Sequence, residues 1–138
     1  MHVLFVCKSN VGRSQTAEAL FLKVSKHNAS SVGTVVGDKE GMRIKDLGWS
    51  AQHVIECLKE DDCDVSNNLR KQLTPEMVKK ADKVIIMAEP ETVPNYIKSS
   101  DKVIYWQVDN PKNTSLERHR EIKNQIKKLV EGLVGEIG

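Results

Sequence analysis

Cys7 and Arg13 are separated by five residues, and Ser14 follows directly, in the stretch Cys7-Lys8-Ser9-Asn10-Val11-Gly12-Arg13-Ser14. A thiol attacks as its thiolate, and a positive, anion-receiving environment favours that form. The stretch follows the apolar run Val3-Leu4-Phe5-Val6 and opens onto a helical pattern. A loop running from a strand into a helix N-terminus turns unpaired N–H groups and the positive end of the helix dipole toward an anion. Gly12 frees the backbone there, and Asn10 is one of the few residue types that tolerate a left-handed conformation. Arg13 adds a planar fork matched to two oxygens of a tetrahedral oxyanion. Cys7 and Arg13 are therefore the candidate reactive pair. Lys8, Ser9, Asn10, Val11, Gly12 and Ser14 are the candidate oxyanion-binding residues. Cys7 as a small hydrophobe ending a strand, with Arg13 as a surface charge, leaves the Asn-x-Gly-Arg-Ser run unexplained.

The elements that must position this loop are legible as alternating strands and helices. Ala17, Leu20, Phe21 and Val24 recur at helical spacing and predict a first helix over 13–27. A β-branched second strand is expected over 31–36, followed by a polar loop over 37–41 on the Cys7 side of a parallel sheet. Ser50 reads as the N-cap of a helix over 51–60 with Ala51, Val54, Cys57 and Leu58 inward. Thr74-Pro75-Glu76 starts another helix. Lys83–Met87 and Val103–Trp106 predict the third and fourth strands. Thr114 and Glu117 form a capping box for a last helix whose inner face is Ile122, Ile126, Leu129, Val130 and Leu133. This alternation predicts an α/β three-layer sandwich: a central four-stranded parallel sheet, helices on both faces, and the anion-receiving loop after strand 1. Ligand loops then gather at the carboxyl ends of the strands.

At 138 residues the chain is expected to form a single domain, 1–138. A net charge of +2 and an aromatic content of 4% offer neither a basic surface nor a stacking platform, so no nucleic-acid partner is expected. No apolar stretch reaches membrane-spanning length, and no secretory signal pattern opens the chain. Three cysteines without a signal point to free thiols in a reducing compartment, hence a cytoplasmic protein. His2, His27, His53 and His119 show no ligand spacing with the cysteines, so neither a metal nor a cofactor is expected. His119 is expected on the solvated side of the last helix, Cys57 in the core, and Cys63 is left open between packing and chemistry.

The Cys-x5-Arg-Ser loop, with its preceding strand and following helix, resembles the signature of the low-molecular-weight protein tyrosine phosphatases, a fold shared with a group of arsenate reductases. The resemblance extends through Ser31-Val32-Gly33-Thr34, Asp64 to Thr74, Ala81 to Ile85 and Trp106 to Pro111. It implies that Cys7 attacks the phosphorus of a phosphate monoester, phosphotyrosine-type, held by residues 8–13 and Arg13, and that water hydrolyses the phosphocysteine. Ser14 would hydrogen-bond the sulfur, cap the helix, or do both. The expected partners are a phosphorylated protein or a small phosphate monoester, with free phosphate or arsenate as ligands.

The family supplies the leaving-group proton from an aspartate directly before a proline, after the fourth strand. Here Asn110 precedes Pro111, and Asp109 stands one place earlier. Either Asp109 serves as the acid from a shifted loop, or the acid is missing, since an amide cannot replace it. Gly12 also stands where these phosphatases carry a second cysteine, Ser9 where they carry glycine, and Lys112-Asn113 where tyrosines follow. Gln15 after Arg13-Ser14 is more similar to the reductase branch. Trp49 and Tyr96 are the aromatics that could flank an aryl group. Two alternatives stand beside the phosphatase: arsenate reduction by Cys7 with an external thiol, and a non-catalytic oxyanion-binding module.

Overall fold

The computed structural model describes residues 1–138. Four parallel strands form the central sheet: β1 (His2–Cys7), β2 (Asn28–Gly33), β3 (Lys83–Ile86) and β4 (Val103–Tyr105), in the order β2-β1-β3-β4. The helices are α1 (Arg13–Val24), α2 (Trp49–Lys59), α3 (Pro75–Lys80), the single turn α4 (Asn95–Lys98) and α5 (Leu116–Ile137).

β1 explains the layering. It is buried on both faces, and its side chains alternate between two cores. Val3 and Phe5 join Phe21 of α1, Leu58 of α2 and Ile126 of α5 on one side. Leu4 and Val6 join Val78 of α3 and Ile97 of α4 on the other. Phe5 meets Phe21 edge-on at 5.6 Å and Trp106 at 6.0 Å between ring centres. Burying an aliphatic or phenyl side chain of this size contributes about 1.5–3 kcal/mol. The three-layer parallel sandwich expected from the alternation is the observed architecture.

Several element ends differ from expectation. β2 runs Asn28–Gly33, three residues earlier than predicted, because His2 pairs with Asn28 and Cys7 with Gly33. Thr34, Val35 and Val36 fall past the end of that ladder despite their β-branched propensity. α1 stops at Val24, because Ser25 is already extended and Asn28 N donates to the Met1 carbonyl. α2 begins at Trp49 behind Gly48, so Ser50 lies inside the first turn and is not the cap. The cap of α5 is Ser115, whose hydroxyl accepts from Arg118 N at 3.1 Å. Thr114 instead bonds back to the Pro111 carbonyl, closing the turn before the helix.

Gly33 is held where no side chain fits. A Cβ there would stand 2.7 Å from the Lys8 carbonyl oxygen and 2.9 Å from Asn10 N. The end of β2 therefore lies directly against the loop that follows β1. The segment 70–73 lies on its other side: Gly33 N donates to the Lys71 carbonyl, and Leu73 N to the Gly33 carbonyl. No helix is long and apolar enough to cross a membrane.

Candidate active site

The loop between β1 and α1 is shaped by Asn10. It adopts φ 56° and is fully buried. Its Nδ2 donates to Ser14 Oγ at 2.8 Å and Ser31 Oγ at 3.1 Å, while its Oδ1 accepts from Lys71 N at 2.8 Å. Gln15 Nε2 adds contacts at 3.3 Å to the Asn10 carbonyl and side-chain oxygens. No backbone N–H from Lys8 through Arg13 donates to a protein acceptor. A run of unpaired donors at a helix start is the arrangement that takes an oxyanion.

Cys7 is buried at the end of β1, its Sγ 3.0 Å from Ser14 Oγ. Ser14 Oγ already accepts from Asn10, so its own hydrogen is left for the sulfur. The α1 cap residue is Gly12, with no side-chain cap bond, so Ser14 contacts sulfur and does not cap. Arg13 is buried and crosses the mouth of the sheet. Its Nη1 donates to the carbonyls of Met87 and Val108, the latter at 3.2 Å, and its Nη2 stands 2.9 Å from Glu89 Oε1. It thereby joins the loops after β1, β3 and β4, while its Nε has no protein acceptor.

A cavity of about 250 Å³ opens over this loop. Cys7, Ser9, Val11, Gly12 and Arg13 form its floor; Lys8, Asn10 and Ser14 do not line it. Lys8 is exposed, whereas Asn10 and Ser14 support the floor from beneath. The walls come from far along the chain: Trp49 and Ser50 at the start of α2, Arg70, Asn110 to Asn113, and His119 of α5. Trp49 takes the expected wall position; Tyr96 does not line the cavity.

His119 corrects the expectation of a solvated residue, being buried at the cavity wall. Its Nδ1 lies 2.9 Å from the Ser115 carbonyl, which only accepts, so Nδ1 carries the proton. Its Nε2 then faces Ser50 Oγ at 3.3 Å, and the His53 ring lies 5.1 Å away. Burial pushes its pKa below the ordinary imidazole value; the Ser115 carbonyl opposes this and His53 adds to it. Arg70 is a second guanidinium in the cavity, placed by a 3.0 Å bond from its Nε to the Ser9 carbonyl.

Asp109 is not brought to the other site residues. Its carboxylate is exposed and paired with Arg118 at 2.9 Å, and Asn110 lines the cavity in its place. Cys57 is buried, its thiol pushed up chiefly by burial. Cys63 is half-buried with its thiol also raised, first by burial and in part by Asp61 and Asp62. Neither lines the cavity.

A parallel α/β sandwich with a Cys-x5-Arg oxyanion loop after its first strand defines a class of cysteine-dependent phosphatases and their reductase kin. The chain belongs to the low molecular weight phosphotyrosine protein phosphatase family, whose profile matches residues 2–138. It is 30% identical over 148 residues to a glutaredoxin arsenate reductase from Synechocystis sp., covering 98% of this chain and 97% of that protein. It is 24% identical over 149 residues to a protein-arginine-phosphatase from Bacillus subtilis, covering 99% and 97%. Among solved structures, a low molecular weight protein tyrosine phosphatase from T. tengcongensis superposes with a TM-score of 0.83 at 28% identity, covering 99% of each chain.

Proposed function

We propose that this protein hydrolyses phosphate monoesters of the phosphotyrosine type through a phosphocysteine on Cys7. The observation that carries the reading is the Ser14 hydroxyl at 3.0 Å from Cys7 Sγ, beneath a loop whose N–H groups from Lys8 to Arg13 are unpaired. The sulfur attacks phosphorus, an S–P bond forms, and the ester P–O bond breaks. Water then attacks phosphorus, the S–P bond breaks, and phosphate leaves. Through both steps the loop and the free Nε edge of Arg13 receive the charge on the equatorial oxygens, where positioning and electrostatics carry phosphoryl transfer. Trp49 on the wall suits an aryl group.

The leaving oxygen sets the limit on substrates. The cavity contains no carboxyl group, and Asp109 reaches it only by releasing Arg118 and turning inward. In the arrangement present, a phenol ester turns over faster the more acidic its phenol, because its anion departs with little protonation, and phosphotyrosine, with a phenol pKa of about 10, stands at the slow end of that range. The test is hydrolysis of a series of aryl phosphates with phenols of increasing pKa, using the wild type and Cys7→Ser. Turnover that requires Cys7 and falls steeply along the series is expected; equal turnover in Cys7→Ser would overturn the reading.

Arsenate reduction is the second reading, supported by the Synechocystis relative and by the acid-free cavity. There Cys7 sulfur bonds arsenic with loss of water. An external thiol then attacks that sulfur, arsenite departs, and the two thiols become a disulfide. No alkoxide needs a proton. Arsenate-dependent oxidation of a small thiol, lost in Cys7→Ser and without aryl phosphate turnover, would move the assignment to this reaction. Phosphate binding without either reaction would leave the oxyanion-binding module.

A further inference from the structure

Arg70 is more than nine-tenths buried, yet only one of its donors is used within the protein. Nε donates to the Ser9 carbonyl at 3.0 Å, while Nη1 and Nη2 have no protein acceptor. Arg13 is neutralised by Glu89 at 2.9 Å, whereas Arg70 pairs with no carboxylate. Burial alone pushes the Arg70 pKa down, and the charge that opposes this is Cys7 itself. No aspartate or glutamate lines the cavity, and Lys112 adds a further cation on its wall. The two free Nη atoms are not enclosed in the protein; they open onto the cavity, where an anion can take the place of solvent on them. The phosphate loop is already furnished with its own donors and with Arg13, so Arg70 is a cation beyond what one phosphate requires.

We propose that Arg70 forms a second anion subsite, so that the preferred ligand carries a carboxylate beside its phosphoryl group. The inference rests on the reading of the loop as a phosphoryl site, and it names the substrate class for that site. The planar fork of Arg70, fixed at Nε and free at both Nη atoms, matches a carboxylate through two parallel bonds. The carboxylate has two possible sources: a small aryl phosphate that bears it on the ring, or an acidic residue beside the phosphorylated residue of a protein.

The test uses non-hydrolysable ligands, so that it does not depend on turnover. Binding of benzylphosphonate and of its ortho-, meta- and para-carboxylated forms is measured calorimetrically on the full chain, for wild type, Arg70→Gln and Arg70→Lys. A parallel arm compares phosphonomethylphenylalanine peptides flanked by glutamate or by alanine. In the wild type, at least one carboxylated ligand is expected to bind about tenfold or more tighter than its neutral counterpart. That ratio falls to near one in Arg70→Gln and is partly kept in Arg70→Lys. Preference confined to the small ligands, or to the peptides, identifies the source. A wild-type ratio of one in both arms overturns the proposal, as does an equal loss on neutral and carboxylated ligands in Arg70→Gln, because Arg70 then only braces Ser9. Failure of every phosphonate to bind overturns the phosphoryl site and this subsite together. Binding with preference but without aryl phosphate hydrolysis rejects the phosphatase reading and leaves the subsite standing.

Discussion

Arg118 Nη2 donates to Asp109 Oδ2 at 2.9 Å, and this pair holds the one carboxylate of the loop after β4 outside the cavity. Both partners are exposed, and Arg118 also faces Glu121 at 3.6 Å. A pair of this kind is worth about 0–1 kcal/mol, too little to fix the loop against a strong competing interaction. Asp109→Asn is expected to lower kcat on phenyl phosphate, whose leaving group needs a proton, by less than about tenfold, against the 10²–10⁴ that removal of a positioned general acid costs. Arg118→Ala is the companion variant. A gain in kcat on phenyl phosphate in Arg118→Ala, cancelled by adding Asp109→Asn, would show that the released carboxyl turns inward and acts.

Ser14 is expected to matter through the sulfur. Removing its hydroxyl takes away the bond to Cys7 and strands Asn10 Nδ2 on that side. Ser14→Ala should lower kcat by about 10- to 100-fold with little change in KM, as for an interaction used in the chemical step. Alkylation of Cys7 by iodoacetamide at neutral pH should slow in parallel. Unchanged alkylation with a lowered kcat would assign Ser14 to loop shape instead.

Asn10 carries both a left-handed backbone and a hub of hydrogen bonds. Asn10→Ala should destabilise the fold by about 2–4 kcal/mol, combining lost buried bonds with the φ penalty. Asn10→Gly should recover about 1 kcal/mol of this, because only the backbone term is relieved. Urea denaturation measures both. Equal stabilities of the two variants would mean that the φ 56° conformation carries no strain.

The pH dependence of stability should show His119. Its folded pKa lies below the ordinary value near 6.5, so the unfolded chain binds the proton more readily. Its contribution is complete above the unfolded value and is lost as pH falls through the folded one. The Tm is therefore expected to decline from pH 7 toward pH 5, and His119→Gln should flatten that segment. A further loss below about pH 4.5 belongs to the carboxylates the fold holds down: Glu60, at about 2 through hydrogen bonds from Arg120 and Lys123; Asp61, which burial would raise but Lys123 and Lys127 hold down; and Asp64, bonded to Ser66. His119→Gln should leave that lower segment in place.

The floor of the site was legible because it is contiguous. Cys7 through Ser14 lie in one loop, and strand, loop and helix dictate what their backbone does. The walls were not, because Arg70 and His119 approach across 60 to 110 residues of intervening chain. His119 did leave a signal: it stands three residues before Ile122 and seven before Ile126, on the same buried stripe of α5. Reading histidine as polar concealed that position. Arg70 left none, since its burial arises from a long-range bond to the Ser9 carbonyl. β2 was misplaced because propensity favoured Val35 and Val36, whereas register with β1 determined the pairing.

The segment that brings Arg70 into the cavity has a second consequence, for the outer rim of the sheet. β2 and β4 are the terminal strands, where unpaired backbone groups invite another chain to add on. β4 is only three residues long, and the carboxyl end of β2 is taken by the bonds between Gly33 and residues 71–73. The stretch 70–73 thus acts as a guard strip as well as the segment that places Arg70. Loosening it would bare the carboxyl end of β2 for intermolecular pairing, so in this protein the placement of a cavity wall and the protection of a sheet edge depend on the same few residues.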